Sequence, residues 1–131
     1  MNFFKGIKIL NKKKLFLQPQ NVDVIIFDNH GSQFLKKCLI NLRVVVLKNR
    51  IDEIDSIYLN FKILISILKN FFQEKIKIIY FSEIIKILNP RFIITFTDNS
   101  FEFFKIKKFL GTKYKFYAVQ NADRIYTKEL I

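Results

Sequence analysis

Cysteine, histidine and glycine are scarce in this chain, and each shortage removes a class of function. One cysteine, Cys38, cannot form an internal disulfide, and one cysteine with one histidine, His30, cannot make a zinc site. Cys38 falls on the apolar side of an expected helix and reads as a small buried hydrophobe. The three glycines form no G-x-G-x-x-G or G-x-x-x-x-G-K-[ST] after an apolar run and no G-x-S-x-G. Dinucleotide, P-loop and nucleophile-elbow fingerprints are therefore missing. Long hydrophobic runs are missing too. The longest charge-free stretch, Leu15 to Val22, is far short of the ~20 apolar residues of a membrane helix. Residues 1–14 are too charged for a signal peptide. The expectation is a cytoplasmic chain, at most peripheral to a membrane.

Acidic residues are the remaining shortage: 11, against 23 basic ones, for a net charge of +12. Such a surplus points to an anionic partner: nucleic acid, a phospholipid surface or phosphate-bearing substrates. Nineteen of the basic residues are Lys, however, and Ile, Lys, Asn and Phe dominate throughout. That composition suggests an AT-rich coding bias, which scatters Lys over any solvent face. The dense basic runs are Lys12-Lys13-Lys14 and Lys105-Ile106-Lys107-Lys108, and no aromatic-rich RNA-reading sheet signature accompanies them. Nucleic acid therefore ranks low as a partner, and peripheral contact with an anionic membrane is retained.

What is present is a strand–turn–helix unit. Phe92 to Phe96 is apolar or β-branched without polar alternation, as in a strand covered on both faces. Pro90 keeps a helix from running into it. Asp98, Asn99 and Ser100 offer cap oxygens to a helix from Phe101 to Leu110, which stops at Gly111. An earlier copy of the pattern has the strand Val22 to Phe27 and the turn Asp28-Asn29-His30-Gly31-Ser32. Its helix carries Phe34, Leu35, Cys38 and Leu39.

Two further apolar runs, Arg43 to Leu47 and Lys115 to Val119, complete four expected strands. Between Leu47 and Phe92 the strongest helical period joins Ile54, Ile57, Tyr58, Phe61, Leu64, Ile65, Leu68, Phe71 and Phe72. Asp52, Glu53 and Asp55 fit its first turn, and Ile63 and Ile67 widen its apolar face. On this reading Phe61 and Leu68 face the core, so Phe61→Asp or Leu68→Asp is expected to unfold the domain. Ser82 is the expected cap of a second helix, and the run Ile76 to Phe81 before it fits strand or helix. Ile7 to Leu10 and Leu15 to Leu17 fit short strands.

The expected fold is α/β, a Rossmann-like parallel sheet of about four strands in the order 2-1-3-4, with helices on both faces. Residues 1–21 form a peripheral amino-terminal segment and residues 22–131 the Rossmann-like domain. Strand order reverses between the first and third strands, and open α/β sheets bind ligands at that point. The two Asp-Asn turns meet there.

The residues at these turns have plain readings as well as chemical ones. Asp28 and Asp98 can act as paired carboxylates, hold a sugar hydroxyl or cap helices. His30 can act as a base or sit in a surface turn. Arg50 and Arg124 follow strand ends, where a guanidinium can clamp a phosphate or carboxylate. Gln120 and Asn121 can hydrogen-bond a ligand by the same logic. A receiver-like phosphoacceptor is excluded because about seventy residues separate Asp28 from Asp98.

Several motifs together resemble one family. They are Phe27-Asp28-Asn29 with Gly31-Ser32, Leu47-x-x-Arg50-x-x-Glu53, Pro90-x-x-Ile93-Ile94-Thr95-x-x-Asp98-Asn99-x-x-Phe103, and Val119-Gln120-Asn121-x-x-Arg124. The pattern over about residues 14 to 126 resembles the amino-terminal half of bacterial surface carbohydrate biosynthesis proteins. Those are glycosyltransferase-like enzymes of the two-Rossmann GT-B architecture. Ala122 stands where that family usually has Gly.

The resemblance implies an acceptor-side domain of polysaccharide synthesis, inactive alone. Asp98, His30 and Asp28 would be catalytic, and Asn29, Asn99, Gln120, Asn121, Arg124 and Arg50 would bind substrate. The implied partners are a sugar acceptor and a second Rossmann domain or subunit. No cofactor or metal is implied, since a nucleotide sugar enters as donor only with that second domain. The alternative is a basic binding module for nucleic acid or an anionic membrane surface.

Overall fold

A computed structural model of the chain describes residues 12–50 and 52–119. The elements run β1 (Lys13–Phe16), β2 (Val24–Phe27), α1 (Ser32–Cys38), β3 (Val44–Leu47), β4 (Ser56–Leu59), α2 (Phe61–Asn70) and α3 (Ile76–Leu88). Then come β5 (Phe92–Thr95), α4 (Phe101–Leu110), a 3-10 turn (Gly111–Lys113) and β6 (Lys115–Ala118).

Four strands form a parallel sheet in the order β3-β2-β5-β6, the order expected from the four apolar runs. Ile25 pairs with Val45 on one side and Ile93 on the other, so β2 is central. All four of its residues are buried. Side chains alternate across a strand. Ile25 and Phe27 join Leu47, Ile93, Phe103 and the α3 residues Ile78, Phe81, Ile84 and Ile85 in one apolar cluster. Val24 and Ile26 point to the opposite face and are buried there, on the side where α1 contributes buried Leu35. Helices thus cover both faces. The ring of Phe27 meets Phe81 edge-on at 5.4 Å and Phe103 at 5.9 Å, which ties β2 to α3 and α4.

The caps of α4 follow from local chemistry. Ser100 Oγ accepts from the Phe103 N–H at 3.3 Å, and Gly111 ends the helix at φ 68°.

Four expectations are corrected. Phe61 and Leu68, expected to face the core, are 75% and 78% exposed, because α2 turns its other face to the domain. The long helix reaching back to Ile54 does not form. Ile57 and Tyr58 lie in β4, which pairs with β1 in a separate two-stranded parallel sheet, Leu15 opposite Tyr58 and Phe16 opposite Leu59. Asn60 closes the strand and opens α2, with its Oδ1 accepting from the Lys62 N–H at 2.8 Å and its Nδ2 donating to the Leu17 carbonyl at 2.8 Å. Asp55, expected in a first helical turn, pairs with Lys48.

Ile76 to Phe81 is helical and continuous with Ile84 to Leu88, so Ser82 is buried mid-helix rather than a cap. Cys38 is exposed, not buried, because the short α1 turns Leu35 inward instead. Of the early short strands, Leu15 and Phe16 fall in β1, whereas Ile7 to Leu10 lie outside the described residues.

Tyr80 of α3 closes the free edge of β4 by accepting the Tyr58 N–H at 2.8 Å. Burial pushes its phenol from 10.0 up to about 12. The folded state therefore holds this proton more tightly than the unfolded chain. Its contribution is fully present below about pH 10 and lost as pH rises through about 12. A shift of that size is worth at most ~3 kcal/mol, and partial exposure reduces it to roughly 1–2 kcal/mol. Urea unfolding between about pH 9 and pH 12 should show wild type losing roughly that much more stability than Tyr80→Phe. Parallel losses in the two proteins would remove this role from Tyr80.

Candidate functional site

β2 and β5 are neighbours, but from β2 the chain continues to β3 on one side and from β5 to β6 on the other. The loops leaving their carboxyl ends diverge, and a cleft of about 640 Å³ opens between them. Its walls come from Asp28 after β2, Asn49, Arg50 and Asp52 after β3, and Thr97, Asn99 and Ser100 after β5. Phe101 and Glu102 of α4 and Lys77 of α3 complete it.

Asp28 sits at the centre. Its backbone lies in the left-handed region at φ 81°, where Asp is among the few non-glycine residues found with any frequency. The backbone N–H donates to the Leu47 carbonyl at 2.9 Å, which continues the β2–β3 ladder one residue past β2. Its side chain is almost wholly buried. Oδ1 accepts from the Asn29 N–H at 2.7 Å, and Oδ2 lies 3.4 Å from Thr97 Oγ1 and 3.5 Å from Arg50 Nη2. A buried carboxylate persists only when such partners offset its lost hydration. Arg50 leaves half of its side chain in the solvent-filled cleft. Its remaining N–H groups can hold a phosphate or carboxylate.

Two more groups shape the chemistry. Asn49 is 6% exposed, and among the described residues its Oδ1 accepts no hydrogen bond. Lys77 Nζ meets Glu102 Oε1 at 3.1 Å on the opposite wall. Burial works to raise the Glu102 carboxyl, but the bonds from its own N–H and from Lys77 prevail and hold it below the ordinary carboxylate value. Phe101, 58% exposed, presents its ring at the rim with Lys75 and Lys105 over it.

The cleft brings together Asp28, Arg50 and Asn99 among the residues singled out from sequence. Asn29, His30 and Asp98 do not line it. Asn29 Oδ1 accepts from Ser32 Oγ at 3.2 Å within its own turn. The exposed His30 ring packs on Phe96, with centroids 6.1 Å apart. Asp98 is half-buried two residues beyond Phe96. Gln120, Asn121 and Arg124 lie outside the described residues.

Sequence reasoning missed Asn49, Thr97, Lys77 and Phe101. The first two carry a usable signal, since Thr97 directly follows the apolar run Phe92–Phe96 and Asn49 lies two residues past Leu47. Lys77 arrives through the packing of α3 against α4, which no local pattern encodes. Among the described residues no group of three His, Cys, Asp or Glu could hold a metal ion, and no helix is long and apolar enough to cross a membrane. No family model, curated protein or solved structure matches the chain.

Proposed function

We propose that this chain is the acceptor-side Rossmann-like domain of a glycosyltransferase-like protein of surface polysaccharide biosynthesis, and that it acts with a second domain holding the nucleotide sugar. The observation that carries the reading is the cleft at the strand-order reversal. Its inner wall holds the Asp28 carboxylate and the Asn49 Oδ1, both acceptors, beside the donor-only Arg50. An acceptor with no donor among the described residues, as Asn49 Oδ1 is, suits a ligand hydroxyl, and a guanidinium suits a ligand that also bears an anion. The Phe101 ring adds an apolar platform at the rim. The motif resemblance supplies the finer identity.

On this reading Asp28 accepts a proton from the attacking acceptor hydroxyl. Arg50 orients an anionic group of the acceptor, and Asn49 and Asn99 hold further hydroxyls. Asp98 and His30 border the same turns. Asp98 takes a supporting catalytic part, through the conformation of the β5–α4 loop that carries Asn99. Glycosyl transfer also needs donors around the leaving phosphate and exclusion of water, and one open face provides neither.

The isolated chain should therefore bind a hydroxylated acceptor weakly and show no transfer from nucleotide sugars. Ligand-observed NMR with a panel of sugar phosphates checks the first, and Asp28→Ala should remove the signal without altering the fold. A coexpressed second domain should restore transfer. In that complex Asp98→Ala is expected to abolish turnover, and full activity of Asp98→Ala would restrict the machinery to the cleft residues. Turnover by the chain alone would defeat the two-domain reading.

A further inference from the structure

We propose that the outward face of α2 is a docking surface for an anionic lipid bilayer. Towards the domain α2 turns Ile63 and Ile67 together with polar Ser66 and Asn70. Ser66 Oγ donates to Glu83 Oε1 at 2.9 Å, and Asn70 Nδ2 donates to the Ser66 carbonyl at 2.9 Å. The larger apolar face points the other way. Phe61 is 75% exposed, Leu68 78% and Phe72 97%, with Leu64 and Ile65 about half exposed. Phe61, Leu64, Ile65 and Leu68 recur at i, i+3, i+4 and i+7, so they form one stripe, and exposed Phe72 stands in the turn just beyond α2. A surface helix ordinarily buries such a stripe. A contiguous exposed one marks a binding face.

Charge selects the occupant. Segments 12–17 and 59–73 hold Lys12, Lys13, Lys14, Lys62 and Lys69 and no carboxylate. Lys62 and Lys69 are seven residues apart and flank one edge of the stripe. The basic strand β1 is paired to β4, where exposed Phe16 and Leu59 stand opposite each other two residues before Phe61.

Apolar side chains edged by lysines fit a bilayer with acidic headgroups. The Phe and Leu side chains enter the acyl boundary while lysine stems carry their charges back to the headgroups. A second copy would bring like charges together across a two-fold axis. Nucleic acid would satisfy the lysines but leave the apolar stripe in water. At ten residues α2 is about 15 Å long and would lie in the interface plane. The proposal does not depend on the cleft reading.

The test is flotation of the full chain with phosphatidylcholine vesicles and with vesicles containing about one-third phosphatidylglycerol, a charge density that attracts basic segments. Wild type should partition onto the anionic vesicles and much less onto the neutral ones. Leu68→Ser/Phe72→Ser should lower that partition at least about tenfold. Lys62→Gln/Lys69→Gln should lower it several-fold, with a matching loss of salt dependence. Both variants should keep the wild-type thermal melt, and Asp28→Ala should float like wild type. Three results would overturn the proposal. One is equal partition of Leu68→Ser/Phe72→Ser and wild type. Another is no partition while the wild-type chain sediments as a dimer that this variant dissociates. The third is capture of an oligonucleotide with no vesicle binding.

Discussion

Ile84→Asp is expected to abolish folding, whereas Leu68→Asp leaves the domain folded. Ile84 is 0% exposed and sits in α3, the most enclosed helix among the described residues, with Ile78, Phe81 and Ile85 under the sheet. A carboxylate placed there finds no cation, and burying it unpaired costs several kcal/mol. A domain of this size has a total stability of only ~5–15 kcal/mol. Ile84→Ala, which leaves a cavity but no charge, should cost about 2–5 kcal/mol and remain measurable by urea denaturation. Leu68 is 78% exposed, so an aspartate there stays hydrated and should change stability by less than about 0.5 kcal/mol. A cooperative, wild-type-like unfolding transition for Ile84→Asp would show that α3 is not the core helix. Collapse of Leu68→Asp would show that α2 turns its stripe inward.

Gly31→Ala should cost roughly 2–4 kcal/mol, a large effect for one methyl group. Two causes add. Gly31 has φ 67°, a left-handed conformation that disfavours any side chain by about 1 kcal/mol or more. A Cβ built there would also stand 2.5 Å from ring atoms of Phe96. Phe96 cannot easily retreat, because its ring packs on His30 at 6.1 Å and on Phe34 at 5.9 Å. Overpacking of this kind typically adds ~1–3 kcal/mol. Thermal or urea unfolding of Gly31→Ala gives the total. A double-mutant cycle with Phe96→Ala separates the causes, since removing the ring should recover part of the steric cost and none of the conformational cost. A change below about 0.5 kcal/mol would mean that the turn after β2 readjusts freely. That turn carries Asp28 and Asn29, so its rigidity bears on the cleft as well as on stability.

Much of the fold was legible in sequence because it is written in contiguous residues. A strand buried on both faces must be apolar throughout, and the runs at Val24–Phe27 and Phe92–Thr95 are the two central strands. Helix ends are local as well, and Ser100 and Gly111 bound α4 where capping chemistry places them. The order of the four strands followed from the length of the crossover between Leu47 and Phe92 and from its required handedness.

What only the tertiary structure decided is what segments distant in the chain do to one another. Ile57 and Tyr58 fit a helical period, but pairing with Lys14 and Leu15 some forty residues away makes them a strand. Once β4 takes them, α2 is shorter. The polar Ser66–Glu83 contact then faces inward and the apolar stripe of Phe61, Leu64 and Leu68 faces out. Periodicity reports that a helix has two faces. Which one is buried depends on the partner surface, here α3 with its buried Glu83. The cleft divides in the same way. Asp28, Asn49 and Arg50 follow from strand ends, which are local, whereas Lys77 joins them through the packing of α3, and a short-range pattern cannot carry that information.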